Sequence, residues 1–367
     1  MLIDAWVAET AGAPLVPRRL ELDELRAGEV LVRIGAAGVC HTDISYTDGS
    51  RPAPFPLIAG HEGAGVVSAV GAGVTEFAVG DRVVLSFSSC GNCRSCRLGR
   101  PSYCDSFRRL NTGFGGADEA PRFRTVSGSP VTGGFFGQSC FAGHALTRPR
   151  NLVRLPESVP FAVAAPFGCG VQTGAGAVLN TLKAGTGASI AVFGAGAVGL
   201  SAVMAAAAAG AATIAAVDPI EQRRALAKTL GARQALDPAE AGTLAGFDYA
   251  IDTTGRPDVI RTAVAATHNT GTTCLIGSGP AGTEVSLPLR DLVVGRRVRG
   301  LVEGDSVPQV FLPLLLGLWE SGRFPVEALI TTFPSTELNA AMHAMHTGHA
   351  VKPVVVFPDS PGVTAGT

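Results

Sequence analysis

Charge is scarce in this chain and nowhere gathered. Only 16% of its 367 residues are Asp, Glu, Lys or Arg, 29 basic against 30 acidic, for a net charge of −1. The absence of a Lys/Arg block or basic stripe speaks against a nucleic-acid partner. The N-terminus, Met1-Leu2-Ile3-Asp4, has no basic region leading into an apolar one, so no secretory signal is expected. From Ala188 to Val217 charge is missing altogether, over a length that imitates a membrane span. Gly194, Gly196, Gly199 and Gly210 punctuate that run and alanine fills its middle. It therefore reads as a buried strand, a tight turn, an Ala-rich helix and a second buried strand, with no membrane partner.

Apolar material is plentiful: 46% of residues are hydrophobic, and a chain of 367 residues exceeds one ordinary core, so two domains are expected. The 47 glycines and 24 prolines are scattered, which suits many tight turns rather than disorder. Up to about residue 155, short β-like runs such as Glu29–Ile34, Gly63–Val67 and Asp81–Leu85 predict a mostly antiparallel β region. From about 171 the texture alternates. Ser189–Phe193, Ala212–Val217, Asp248–Ile251 and Thr272–Ile276 read as strands, with helical stretches such as Glu221–Leu230 between them. That alternation predicts a parallel, doubly wound α/β sheet. After about 302 the pattern loosens into an apolar segment, Val310–Trp319, and a closing strand, Lys352–Phe357, expected to return to the first domain. The glycine-rich stretch 111–138 reads as a long surface loop.

Of the eight cysteines, Cys90, Cys93, Cys96 and Cys104 crowd into fifteen positions. Without a secretory signal, such a comb points to metal rather than disulfides, and to a reducing cytoplasm. Four thiolates suit a closed tetrahedral zinc site, which leaves no position for substrate and is therefore structural. Cys40, His61 and Cys169 are too dispersed for any spacing rule. Taken singly, a buried cysteine, a satisfied histidine or a capping Asp43 explains each. Gly194-Ala-Gly-Ala-Val-Gly199 follows an apolar strand and opens a helix, the context a dinucleotide fingerprint requires. Its small residues let a pyrophosphate reach the helix N-terminus. Asp218, ending the next strand, is placed to accept from ribose hydroxyls and repel a 2′-phosphate, which favours NAD over NADP. Arg223 and Arg224 follow closely and could tolerate phosphate.

Gly60-His-Glu-Gly-Ala-Gly-Val-Val67, the cysteine comb and the glycine fingerprint, in that order, resemble the zinc-containing medium-chain alcohol dehydrogenase family over nearly the whole chain. Phe135–Ser139, Gly168–Gly174 and Gly300–Ser306 are most similar to its aryl-alcohol (benzyl alcohol) branch. The resemblance implies a GroES-like, mostly-β catalytic domain over 1–170 and 303–367, and a Rossmann NAD-binding domain over 171–302. It implies two zinc ions and NAD as cofactors. Cys40, His61 and Cys169 would hold the catalytic zinc, with Glu62 approaching it transiently and Asp43 accepting the second ring N–H of His61. Thr42 would relay the alcohol proton to the ribose hydroxyl; the histidine that completes the relay in several relatives is replaced by Ser45, which leaves water or another group, His41 the nearest, to finish it. His41 and Lys352 would contact the pyrophosphate, Arg223 the adenosine ribose, and Val198 and Thr173 the nicotinamide. Phe135 and Phe136 would wall the substrate channel, with Ser86, Phe87, Val302 and the 111–134 loop lining the rest. An aromatic or allylic primary alcohol is the substrate this implies. Terpene alcohols and thiol adducts of formaldehyde are the alternatives, and a non-catalytic NAD-binding protein the remote one. Association through the edge strand Arg297–Leu301 implies a homodimer or homotetramer.

Overall fold

The computed structural model describes residues 1–114 and 121–358. The chain divides into two units. The first comprises Met1–Cys169, Val307–Leu312 and the chain from Ile330; the second comprises Gly170–Ser306 and Pro313–Leu329.

In the first unit the central strand is Val30–Gly38, whose apolar and small residues are buried on both faces. It pairs antiparallel with Glu62–Val70, His144–Thr147 and Lys352–Val356. The sheet runs Ile330–Pro334, Lys352–Val356, Val30–Gly38, Glu62–Val70, Arg82–Leu85, Leu152–Arg154. A smaller four-stranded sheet contains Leu2–Val7 and Val16–Leu22, followed by Phe123–Thr125 and Pro130–Val131. Those last two strands correct the expected surface loop over 111–138. Phe123, Val131, Phe135 and Phe136 from that stretch are buried; residues 115–120 lie outside the described part.

The second unit is the expected doubly wound sheet. Six parallel strands run Gln234–Leu236, Thr213–Val217, Ser189–Phe193, Phe247–Asp252, Thr267–Leu275, Arg297–Gly300. The strand order reverses between Ser189–Phe193 and Phe247–Asp252, the switch point at which such sheets take ligands. The uncharged run resolves into Ser189–Phe193, the helix Ala197–Ala208 and Thr213–Val217. Ala197, Leu200, Ala202, Val203, Met204 and Ala205 of that helix are all buried, so it needs no polar face. No single helix among the described residues is long and apolar enough to cross a membrane. Residues 313–329, expected with the first domain, pack in the second unit instead. Leu315, Leu316, Phe324, Val326 and Leu329 are buried there, and the Arg323 guanidinium donates to Ala208 O.

One polar clasp crosses three neighbouring strands of this sheet. The Asp248 carboxylate accepts from Ser189 N–H at 2.8 Å and Ser189 Oγ at 2.7 Å, and lies 3.0 Å from His268 Nε2. The other ring nitrogen faces Asn269 O. Two acceptors favour the imidazolium, so the His268 pKa is raised, by the Asn269 carbonyl first and Asp248 next, with Arg296 opposing. The folded state therefore holds this proton more tightly than the unfolded chain. Its stabilisation is complete below the ordinary histidine value of about 6.5 and is lost as pH rises through the raised folded value. A His268→Gln protein is expected to show a flatter loss of stability than wild type above about pH 6.5, read by urea denaturation at stepped pH. Parallel curves for the two proteins would contradict this.

Candidate active site

Three separated pieces of the first unit bring the dispersed candidate ligands to one point. Cys40 caps the helix His41–Thr47, whose capping box is closed by Asp43. His61 and Glu62 stand at the start of Glu62–Val70, and Cys169 follows the turn Ala165–Gly168. The ligand atoms of Cys40, His61, Glu62 and Cys169 all lie within 4.8 Å of one another. Asp43, wholly buried, ties two of these pieces together. It accepts from Cys40 N–H at 2.9 Å and Gly60 N–H at 3.0 Å, and its Oδ1 lies 2.8 Å from His61 Nδ1. Gly60 permits this turn, since its φ is +91° and a Cβ there would sit 2.4 Å from Phe141 N.

With Nδ1 engaged, His61 Nε2 is left buried without a hydrogen-bond partner among the described residues. An orphaned imidazole nitrogen beside two thiols is the donor set of an open zinc site, so these residues fit that ion. Electrostatics agree. The Cys40 thiol is held well below its ordinary range, chiefly by a hydrogen bond with Cys169, then by His61 and Lys352 against burial. Burial opposes charge on His61, yet the Asp43 carboxylate and Cys40 prevail and hold its pKa well above the usual value. Removing the carboxylate charge in Asp43→Asn is expected to weaken zinc binding about 10- to 100-fold, measured by chelator competition. An unchanged affinity would show that Asp43 serves only the turn.

Glu62 is turned toward Lys352. The Lys352 ammonium donates to Glu62 Oε1 and Oε2, both at 2.9 Å, and to Val39 O at 3.0 Å. Burial pushes the Glu62 carboxyl up to about 7 against the pull of Lys352. Gly38 makes room for it, because a Cβ there would lie 2.1 Å from Glu62 Oε2. Lys352, expected among the pyrophosphate contacts, thus has its donors taken within the first unit and is 1% exposed. His41 is exposed on the same unit. The Thr42 hydroxyl lies 3.8 Å from the Cys40 sulfur, and the Ser45 hydroxyl donates back to Thr42 O at 2.9 Å.

Aromatic rings sheathe the site. Phe136 stacks on the His61 imidazole with centroids 4.5 Å apart, and Phe135 meets it edge-on at 5.5 Å. Phe107 lies 5.8 Å from Phe87 and 6.5 Å from Phe136. Phe114 stacks on Phe135 at 5.8 Å, and Tyr46 meets Phe135 at 5.2 Å. Phe135 is completely buried, which corrects its expected place in the channel wall: it backs Phe136 and His61. Phe114 comes from the 111–134 loop expected to line the channel, whereas Tyr46 and Phe107 were not foreseen, since single aromatics without periodicity carry no signal of a shared cluster. Ser86 is buried, its hydroxyl donating to Gly168 O at 2.8 Å beside Cys169.

The cysteine comb closes as a second ligand set. The sulfurs of Cys90, Cys93, Cys96 and Cys104 lie within 4.8 Å of one another. Backbone N–H groups of Cys90, Cys93 and Cys96 donate to sulfurs of the set at 3.2, 3.4 and 3.5 Å. The Cys90 thiol is lowered to about 6, first by the Asn92 N–H, whereas burial raises Cys96 to about 12. Four convergent sulfurs fit a closed zinc site.

In the second unit the fingerprint forms a turn before the helix Ala197–Ala208. Among the described residues no side chain caps that helix, which leaves its first N–H groups to an anion. A Cβ at Gly199 would lie 1.8 Å from Gly194 O, whereas one at Gly196 would meet nothing within 4 Å. The loop is thus tight on its inner side and open where a pyrophosphate would approach. Asp218 braces it: Oδ2 accepts from Ala195 N–H at 2.7 Å and Oδ1 from Ile220 N–H at 2.9 Å. Arg223 Nη1 stands 4.0 Å from Asp218, while Arg224 is turned back onto Asp218 O and Pro219 O at 2.8 and 2.9 Å. Thr173 belongs to the helix Gly170–Gly176, which packs so closely at Gly174 that a Cβ would meet Val198 O at 1.9 Å. Val302, on the same unit, is 39% exposed.

Residues 26–157 match the family described as alcohol dehydrogenase GroES-like domain, and residues 197–316 the one described as zinc-binding dehydrogenase. A geraniol dehydrogenase from Castellaniella defragrans is 43% identical, the match covering 96% of this chain and 97% of that protein. An S-(hydroxymethyl)glutathione dehydrogenase from Paracoccus denitrificans is 33% identical over 96% of this chain and 99% of that protein. Among solved structures, the benzyl alcohol dehydrogenase of Acinetobacter calcoaceticus superposes with a TM-score of 0.94 at 36% identity, covering 97% of this chain and 99% of that one. A zinc-binding-domain alcohol dehydrogenase protein from Burkholderia ambifaria gives 0.95 at 43%, covering 98% and 99%.

Proposed function

This chain belongs to the zinc-containing medium-chain alcohol dehydrogenase family, and on that premise we propose that it oxidises, reversibly and with NAD, primary alcohols whose carbinol carbon adjoins an aromatic ring or a double bond. Benzyl-type alcohols come first and geraniol-type alcohols second. The observation that carries this reading is the orphaned His61 Nε2 beside Cys40 and Cys169, sheathed by the rings of Phe136, Phe87 and Phe107.

Bound at Cys40, His61 and Cys169, zinc supplies the Lewis acidity that lowers an alcohol's pKa, and the nicotinamide supplies the hydride acceptor. The chain's own residues do the rest. Thr42 Oγ accepts the alcohol's proton as it hands on its own. Ser45 cannot act as a base, and its hydroxyl is committed to Thr42 O, so solvent completes the transfer. The aromatic sheath excludes water and favours a flat, apolar substrate. A second zinc at Cys90, Cys93, Cys96 and Cys104 staples its loop, giving two per chain. The thiolates that both sets need for zinc suit a reducing cytoplasm. Asp218 repels a 2′-phosphate and Arg224, tied back, is not offered to one, which supports NAD. The edge strand Arg297–Gly300, following the exposed Leu289 and Val293, suits pairing with a second copy of the chain.

The test is a steady-state screen of alcohols and aldehydes with both nucleotides, including formaldehyde with and without thiols. Benzyl alcohol is expected to exceed ethanol in kcat/KM by about 10- to 100-fold, from the burial of its ring. Ethanol above benzyl alcohol, or NADP above NAD, would contradict the reading. A thiol-dependent rate with formaldehyde exceeding every alcohol would favour the adduct alternative instead.

A further inference from the structure

The strand carrying His61 and Glu62 has an incomplete ladder on one side. Its pairing with Arg82–Leu85 begins only at Ala64, opposite Val84. At the two residues flanking Glu62 the missing partner is a side chain. Gln138, wholly buried, donates through Nε2 to His61 O at 2.8 Å and accepts at Oε1 from Gly63 N–H at 3.1 Å. One donor and one acceptor on the strand fix which way the amide points. A planar amide thus replaces a peptide of the absent strand at the position that presents a metal ligand.

The loop that carries this amide holds a conformation that its residues do not choose. Gly134, Phe136, Gly137 and Ser139 all have left-handed φ, at 79°, 52°, 64° and 52°. Left-handed backbone at Phe136 and Ser139 persists only where the surroundings dictate it. Two devices do so here. The Ser139 hydroxyl donates to Ile58 O at 2.7 Å and accepts from Phe135 N–H at 3.0 Å. Gln138 supplies the other. The same loop carries Phe136, whose ring stacks on the imidazole of His61, the residue whose carbonyl Gln138 grips.

We propose that Gln138 is a positioning residue that acts through His61 and Phe136, holding the metal-ligating imidazole and the apolar wall in one register, so that metal geometry and preference for flat substrates are set together. This rests on the dehydrogenase reading above. The Gln138 amide touches neither ligand atoms nor substrate; it fixes the backbone on both sides of Glu62 and the backbone that aims Phe136.

The test uses the full-length protein with cobalt(II) in place of zinc, because cobalt–thiolate absorption reports ligand geometry without turnover. Three variants are compared: Gln138→Met, which removes the bonds to His61 and Gly63, and a longer one of 3.5 Å to Ser86 O, at similar volume; Gln138→Asn, which draws the amide back by one methylene and remains readable where the first fails to fold; and Ser139→Ala, which loosens the same loop but leaves the amide grip. The proposal expects the two Gln138 variants to shift the cobalt bands and to lower the benzyl-to-ethanol ratio of kcat/KM about tenfold or more, with Ser139→Ala keeping the wild-type bands. Wild-type bands and ratio in both folded Gln138 variants would overturn it, as would an equal shift in Ser139→Ala. Failure of the underlying reading shows up separately: a wild-type protein that gains cobalt–thiolate absorption only from the comb, unchanged by Cys169→Ser, defeats both.

Discussion

A Lys352→Met protein is expected to lose about 3–5 kcal/mol of folding stability at neutral pH, because the substitution leaves a buried carboxyl without its counter-charge and forces it to hold a proton. Lys352 and Glu62 are 1% and 0% exposed, and the ammonium bonds both carboxylate oxygens at 2.9 Å. Burial already pushes the Glu62 carboxyl up to about 7 with Lys352 present, and removing the counter-charge raises it further. An acid whose folded pKa exceeds its unfolded one favours the folded state at low pH and disfavours it as pH rises. Wild type shares that slope up to about pH 7, where its own Glu62 ionises against Lys352, so the deficit of Lys352→Met is smallest below about pH 7 and grows above it. Adding Glu62→Gln removes the stranded carboxyl and is expected to recover most of the loss. Urea denaturation of wild type and of the single and double variants at acid, neutral and alkaline pH measures this. A single variant as stable as wild type at neutral pH would mean that the pair contributes nothing to the fold.

The second large effect falls on turnover. Replacing Cys169 by serine leaves Cys40 and His61 with one sulfur fewer, and the zinc at this site is expected to be lost. Metal Lewis acidity is worth several kcal/mol in the transition state, and each 1.36 kcal/mol is a factor of ten, so kcat should fall by about 10³-fold or more. The four-cysteine set has its own sulfurs and should keep its ion, so zinc content should drop from about two to about one per chain. Retention of kcat within about tenfold of wild type would show that Cys169 is not a ligand of the working site.

Features whose signal is local were legible in the sequence. Ser189–Phe193 appears with the expected bounds, and the helix foreseen over Glu221–Leu230 runs Glu221–Thr229. A run of apolar residues, a Gly-rich turn and a helix period are all written within a few positions. The four-cysteine comb was legible for the same reason. Cys40, His61 and Cys169 were not: their convergence is made by strand pairing between segments far apart in sequence, which no spacing records. Resemblance to a family supplied that set.

What escaped both kinds of reading depends on backbone conformation or on a partner's position. Nothing in Phe135–Ser139 announces a left-handed Phe136, since bulky residues there are held by context rather than preference. Phe135 reads as a wall residue until its complete burial places it one layer behind. Lys352 reads as a surface cation awaiting phosphate until Glu62 is seen folding back over Gly38 to meet it. The tail divides for a comparable reason. Residues 313–329 carry an apolar pattern that fits either unit, and contacts such as Arg323 to Ala208 O settle which one they join.

The whole account turns on one ion at Cys40, His61 and Cys169. The direct measurement is an anomalous difference map collected at the zinc edge from crystals of the purified protein. Two peaks are predicted per chain, one within about 2.0–2.3 Å of Cys40 Sγ, His61 Nε2 and Cys169 Sγ and one among the sulfurs of Cys90, Cys93, Cys96 and Cys104. A zinc-replete crystal with a peak at the four cysteines alone would contradict it.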